Sequence, residues 1–269
     1  MNKDLGGLSP ELVRDTLIEA AAIAATRTLP RFRAGLVVDN KEQDHFDPVT
    51  EADREAERAI RDLIGARFPG HTIIGEEWDD KDGDGNIAWI IDPIDGTRAF
   101  ITGVPVWGTL VGLRVGGKAV AGLMAQPFTG ETWVGLPGAA EYLRGGVSQP
   151  VRVSGVTDLK AAKMTATSPD IFERSGTLEP WNRLRRAVLT TRYGLDCYGY
   201  ALMASGQIDL VVEAALKDVD IAPMIPLIEN AGGIVTTWAG GPAEQGGNCI
   251  AAATPELHRA ALEVLNASA

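Results

Sequence analysis

The 269-residue chain is short of the residues that mark several common site chemistries. It has two cysteines, Cys197 and Cys249, and no CxxC spacing, so two reduced thiols are expected rather than a disulfide framework. It has three histidines, His45, His71 and His258, and none falls at the four-residue spacing of a helical zinc site. Positive charge is scarce too: 25 Lys and Arg against 36 Asp and Glu leave a net charge of −11. So acidic a surface argues against nucleic acid and anionic membranes as partners. No apolar run reaches the roughly 18–20 residues of a membrane helix. Met1-Asn2-Lys3-Asp4 precedes no apolar stretch, so no signal peptide is expected, and the location expected is cytoplasmic. Neither low-complexity segments nor repeats of about 20–50 residues occur.

What the chain has is core. Hydrophobic residues make up 45% of it, enough for one large domain or two packed together. Ser9-Pro10-Glu11 is a helix start, and apolar residues recur at helical spacing as far as Thr28. Val37–Pro48 is polar and reads as a loop or hairpin. A second helix is expected from Thr50 to Phe68, then a strand over His71–Gly75 that runs into Glu76. Trp107–Val115 and Lys118–Gln126 flank Gly116-Gly117 as a hairpin does. After Gln149-Pro150 strands and helices alternate, with helices expected over Ile171–Ala187 and Asp220–Ala231. The pattern divides the chain into an α+β part, residues 1–150, and an α/β part, residues 151–269.

The chemistry concentrates in one stretch. Ala88-Trp89-Ile90-Ile91 reads as a buried strand that should stop at Asp92, because Pro93 cannot continue a ladder. Asp95, Gly96 and Thr97 follow at once. Carboxylates against a core need a partner, since removing the charge from water is costly. The candidates are an arginine, a helix N-terminus or a metal ion. Glu76 follows another strand, Asp220 opens a helix and Asp53 lies near the start of the second helix. Acids without basic neighbours repel one another unless cations join them. An all-oxygen set suits Mg²⁺ or Mn²⁺ rather than Zn²⁺.

Gly75-Glu76-Glu77, Asp92-Pro93-Ile94-Asp95-Gly96-Thr97, and Asp220 before Ala231-Gly232-Gly233 resemble the inositol monophosphatase family in order, spacing and flanking strands. The resemblance covers nearly the whole chain. It implies a layered α-β-α-β-α sandwich, a homodimer, and hydrolysis of small phosphate monoesters with several Mg²⁺ ions, for which Mn²⁺ can substitute. Carried over by position, Glu76, Asp92, the Ile94 carbonyl, Asp95 and Asp220 would bind metal. Asp53 would pair with Thr97 to orient the attacking water, with Glu76 beside them. Asp95, Gly96 and Thr97 would contact phosphate, the last two through N–H groups that open a helix. The motif departs from many relatives at Asp218-Val219-Asp220, where Val219 replaces an aromatic residue and Asp218 is a second candidate acid.

These motifs specify phosphate removal and leave the alcohol open. Asp196, before a helix, stands where inositol-specific members carry a small apolar residue, and Glu213 ends a strand upstream of Asp220. Two extra acids suit a cationic alcohol. With Arg98-Ala99-Phe100 and Val106-Trp107-Gly108-Thr109, they are similar to the histidinol-phosphatase branch. Ser168 and Arg192 are further candidates for substrate contact, whereas Tyr198 and Tyr200 are expected in the core. The expectation is a histidinol-phosphate phosphatase. The alternatives are a phosphatase for inositol 1-phosphate or another polyol or nucleotide ester, and a non-catalytic binding protein.

Overall fold

A computed structural model describes residues 4–35, 38–40 and 48–267. Ser9 accepts the Leu12 N–H and Pro10 fills the first turn, so α1 (Pro10–Thr28) begins where the sequence predicts. A short hairpin of β1 (Val38–Asn40) and β2 (Pro48–Thr50) follows. Between its strands, residues 41–47 lie outside the described residues, and Lys41 with them. Thr50 and Asp53 form a capping box that opens α2 (Glu51–Arg67).

Seven strands then build one sheet in sequence order: β3 (Thr72–Gly75), β4 (Ile87–Asp95), β5 (Gly108–Val115), β6 (Lys118–Gln126), β7 (Glu131–Leu136), β8 (Ala139–Arg144) and β9 (Val147–Pro150). All neighbours are antiparallel except β3 and β4. A short helix, α3 (Thr97–Ile101), interrupts the path from β4 to β5. The second half supplies, in order, β10 (Lys163–Ala166), α4 (Pro169–Arg174), α5 (Leu178–Ala187), β11 (Thr190–Tyr193), α6 (Asp196–Ala204), β12 (Leu210–Leu216), α7 (Asp218–Ile221), α8 (Met224–Asn230), β13 (Ile234–Thr237), β14 (Gly247–Ala252) and α9 (Pro255–Leu265). Its strands form a five-stranded sheet ordered β11-β10-β12-β14-β13.

Helices α1 and α2 cover one face of the seven-stranded sheet. Helices α6 and α8 lie between the two sheets, in a core shared by both. Helices α4, α5 and α9 cover the far side of the smaller sheet. This is the layered α-β-α-β-α sandwich. Because layers cover both faces, β5 and β6 are apolar almost throughout rather than alternating. No helix among the described residues is long and apolar enough to cross a membrane.

Three differences from the sequence reading have local causes. The Ala88–Ile91 strand does not stop at Asp92: β4 continues through Pro93 to Asp95, with a shift in its register against β5 between the two aspartates. The helix expected over Ile171–Ala187 is two helices, separated at Gly176, which takes a left-handed φ of 70°. The helix expected over Asp220–Ala231 splits at Pro223 into α7 and α8. Pro226 sits in the first turn of α8, where its missing N–H costs nothing.

A row of glycines brings the two halves together. Gly112, Gly122 and Gly135 pair across β5, β6 and β7. A Cβ on Gly122 would lie 1.9 Å from the Pro223 carbonyl oxygen, and one on Gly135 would lie 2.4 Å from the Leu227 backbone. Only a bare backbone there lets α8 rest on the sheet, and α8 anchors α7 beside the end of β4.

Candidate active site

The irregular end of β4 turns Asp92 and Asp95 toward one place. Asp92 accepts the Ile94 N–H at 3.1 Å, and the Thr109 hydroxyl donates to the Pro93 carbonyl at 2.8 Å, which together hold the bulge. Asp220 arrives on α7, where its carboxylate accepts the Lys217 N–H at 2.8 Å. Carboxylate oxygens of Asp92, Asp95 and Asp220 all lie within 4.8 Å of one another. Glu76, just after β3, lines the same cleft, with Oε1 3.0 Å from Lys217 Nζ. Among the described residues, no Lys or Arg forms an ion pair with Asp92, Asp95 or Asp220.

The electrostatic cost is plain. Burial raises the Asp92 carboxyl well above its usual value, and the charges of Glu76, Asp95 and Asp220 raise it further. Asp95 is raised by burial, then by Asp220 and Asp196. Asp220 is pushed up to about 7 by burial, then by Glu76. Three converging acids without a cation make a poor structural element but a good seat for a hard divalent cation. The donor set is all oxygen and anionic, so the residues fit such an ion.

The structure separates two neighbouring acids. Asp218 pairs with the buried Arg114 at 3.0 Å, and Arg114 also donates to the Glu244 carbonyl. Among the described residues Asp220 has no such ion pair, and it joins the cluster. Ile94 keeps its carbonyl near the cleft and accepts the Thr97 hydroxyl at 3.1 Å, which leaves one lone pair free. The expected Asp53–Thr97 hydrogen bond is not formed. Oδ2 of Asp53 instead serves the capping box, accepting the Thr50 N–H at 2.9 Å and its hydroxyl at 2.5 Å. Burial raises Asp53 to about 6 despite those bonds.

The opposite wall of the cleft is built by α6, β12 and the end of β10. Asp196 is the first residue of α6 rather than its cap, with a left-handed φ of 46°. It lies against Gly96: a Cβ there would sit 3.0 Å from Asp196 Oδ2, so the motif glycine is what admits Asp196. Burial raises the Asp196 carboxyl, while Thr167 and Arg98 oppose the rise. Glu213 is buried on β12, and both the N–H and hydroxyl of Thr167 donate to its Oε1, at 2.8 and 3.0 Å. Ser168 and Arg192 do not line the cleft. Ser168 caps α4 by accepting the Asp170 N–H, and Arg192 is exposed on the edge strand β11. The cavity enclosed is about 600 Å³, the size of a small-molecule site.

Residues 9–269 match the inositol monophosphatase family. The chain belongs to this family. Within it, the chain is 36% identical over 234 residues to a histidinol-phosphatase from Chlorobaculum parvum, covering 87% of this chain and 88% of that protein. It is 39% identical over 238 residues to the chloroplastic bifunctional phosphatase IMPL2 of Arabidopsis thaliana, covering 84% of this chain and 68% of that one. The solved structure of an inositol monophosphatase from Zymomonas mobilis superposes with a TM-score of 0.85 at 35% identity, covering 97% of this chain and all of that one. The fold is therefore the inositol monophosphatase fold, and the chain is a phosphoric monoester hydrolase of a metal-dependent family.

Several residues of this inositol monophosphatase-type cleft escaped the sequence reading. Thr167, Ile171, Arg174, Ser175 and Lys217 line it, and Arg114 and Glu57 support it from behind. Glu57 accepts the Glu77 N–H at 2.7 Å and pairs with Arg61, which fixes the turn after Glu76. Tyr198, which donates to Glu131 at 2.7 Å, packs against the shared core, and Tyr200 is buried in that core and also lines the cleft. An aromatic residue inside an apolar helix carries no local signal of which wall it faces.

Proposed function

We propose that this phosphatase hydrolyses histidinol phosphate to histidinol and phosphate, with Mg²⁺ as its metal. The observation that carries the reading is the second pair of acids: Asp196 and Glu213 share the cleft with the metal-ligand cluster but stand apart from it on α6 and β12. A neutral polyol gains little from two more carboxylates, whereas an ammonium and an imidazole gain charge-assisted hydrogen bonds. The similarity to a protein named histidinol-phosphatase supports the same choice.

Glu76, Asp92, the Ile94 carbonyl, Asp95 and Asp220 are the residues that would hold the ions. Bound there, divalent ions would neutralise phosphate oxygens and make water a better nucleophile near neutral pH. Gly96 and Thr97, at the start of α3, offer N–H groups to phosphate oxygens. Thr97 also lines the cleft, and its hydroxyl, which donates to the Ile94 carbonyl, has acceptor capacity left to orient the attacking water. Asp53 acts through the Thr50 cap and the start of α2. Asp196 takes the cationic end of the alcohol. A cytoplasmic homodimer is the form expected of such an enzyme.

Inositol 1-phosphate is the second reading, favoured by the structural similarity to an inositol monophosphatase. Phosphate release from both esters, with Mg²⁺ and with EDTA, separates the two. The expected result is Mg²⁺-dependent release with kcat/KM at least about tenfold higher for histidinol phosphate, a difference of about 1.4 kcal/mol. Equal values would remove the argument from Asp196 and Glu213.

A further inference from the structure

Two polar atoms of cleft-lining residues have no hydrogen-bond partner among the described residues. Tyr200 is 4% exposed, and its hydroxyl makes no hydrogen bond. Glu213 is 2% exposed. Thr167 occupies its Oε1, and Oε2 accepts nothing. Buried polar atoms are costly to leave unpaired, and nearly all find partners. The first turn of α6 is held in place by two hydrogen bonds. The Cys197 N–H donates to Asp95 at 2.9 Å, and the Tyr198 hydroxyl donates to Glu131 at 2.7 Å.

The helix also aims the residue. Asp196 and Tyr200 are four positions apart, so they share the helical face that meets the cleft. Burial, and after it the charge of Glu213, hold the phenol well above its usual value, so it stays protonated and able to donate. A phenol oxygen and a carboxyl oxygen, both buried and both unclaimed among the described residues, thus belong to residues that line the cleft.

We propose that Tyr200 determines substrate specificity: its hydroxyl and the free Oε2 of Glu213 form a seat for a substrate group carrying both a proton donor and a lone pair. A neutral imidazole and an alcohol hydroxyl share that chemistry. The proposal rests on the reading of this cleft as the substrate site, and it deepens the histidinol phosphate assignment by placing the imidazole at the seat and the ammonium at Asp196.

Tyr200→Phe removes a single oxygen and tests it. Values of kcat/KM are measured for histidinol phosphate and inositol 1-phosphate, each divided by that for phenyl phosphate, whose ring has no such group. The ratio for the ester that uses the seat should fall about tenfold or more, through KM rather than kcat. The melting temperature of the substrate-free variant should hold or rise, because no protein hydrogen bond is lost. Ratios unchanged for both esters, or a fall accompanied by a lower melting temperature, would overturn the proposal. A fall confined to inositol 1-phosphate would keep the seat and identify a polyol as its occupant, which overturns histidinol phosphate as the substrate and leaves Tyr200 in its role.

Discussion

Glu131, at the start of β7, receives hydroxyl protons from Thr129, Tyr142 and Tyr198 at 2.6, 2.9 and 2.7 Å. Those bonds outweigh its burial and hold its carboxyl below the usual value. Asp95, at the end of β4 in the same sheet, accepts one N–H and otherwise faces Asp220 and Asp196, and its carboxyl is pushed up. Glu131 is only partly buried, whereas Asp95 lies deeper. Satisfaction widens the difference that burial begins. Around Glu131 the chain has supplied every donor the carboxylate needs, so the acid ties β7, β8 and α6 together. Around Asp95 it has supplied more acids, so the site is complete only when something cationic enters. Asp218 and Asp220 repeat the lesson at close range: one is neutralised by Arg114, and the other is left for the cluster.

The largest break in this comparison should come from Asp95→Asn. The amide keeps the shape and can still accept the Cys197 N–H, but it cannot bind a divalent cation as a carboxylate does. Activity should fall by about 1,000-fold or more, equivalent to about 4 kcal/mol of transition-state stabilisation. The metal-free variant should be at least as stable as the parent, because one of several repelling charges is gone. Steady-state kinetics and thermal melting without metal check the two halves, and substantial residual activity would refute the ligand role.

Glu131→Gln should do the reverse at smaller scale. It weakens a satisfied network, so it should cost about 1–3 kcal/mol of stability, or roughly 2–10 °C in melting temperature for a chain of this size. Melting in the absence of metal measures it. A variant as stable as the parent would show that the network is not what holds α6 in place.

Much of this contrast was legible before any coordinates. The Asp92-Pro93-Ile94-Asp95-Gly96-Thr97 stretch packs two acids and a helix start into six residues, so local sequence carries its chemistry, although not the bulge by which β4 continues through Pro93. Choosing Asp220 over Asp218 needed only its distance from Gly232-Gly233. Other features depend on contacts between distant segments and have no local trace. Arg114 meets Asp218 from 104 positions away, Glu57 reaches the Glu77 N–H across 20, and Thr167 reaches Glu213 across 46. Ser168 misled for the same reason. It is a good cap for α4, and its neighbour Thr167 is the residue that meets the cleft. The expected Asp53–Thr97 pairing is absent, and Oδ2 of Asp53 serves instead a capping box that is itself readable as Thr50-Glu51-Ala52-Asp53.

The central claim is that the cleft acids are kept unsatisfied for divalent cations, and the melting temperature at pH 5 and pH 8, with and without Mg²⁺, tests it most directly. In the folded, metal-free protein Asp220 is raised from 3.8 to about 7 and Asp53 from 3.8 to about 6. A carboxyl whose folded value is raised binds its proton more tightly when folded, so its favourable contribution is full below about pH 4 and is lost as pH rises through about 7. Glu131, whose value is lowered, contributes stability above about 4.5 that is lost only as pH falls further, outside this window. His71 and His258, held below 6.5 by burial, oppose the trend at pH 5, but equally with and without Mg²⁺. Mg²⁺ would bind the ionised acids, so its stabilising effect should grow with pH. The account predicts that Mg²⁺ raises the melting temperature markedly at pH 8 and little at pH 5. A melting temperature indifferent to Mg²⁺ at both pH values would contradict it.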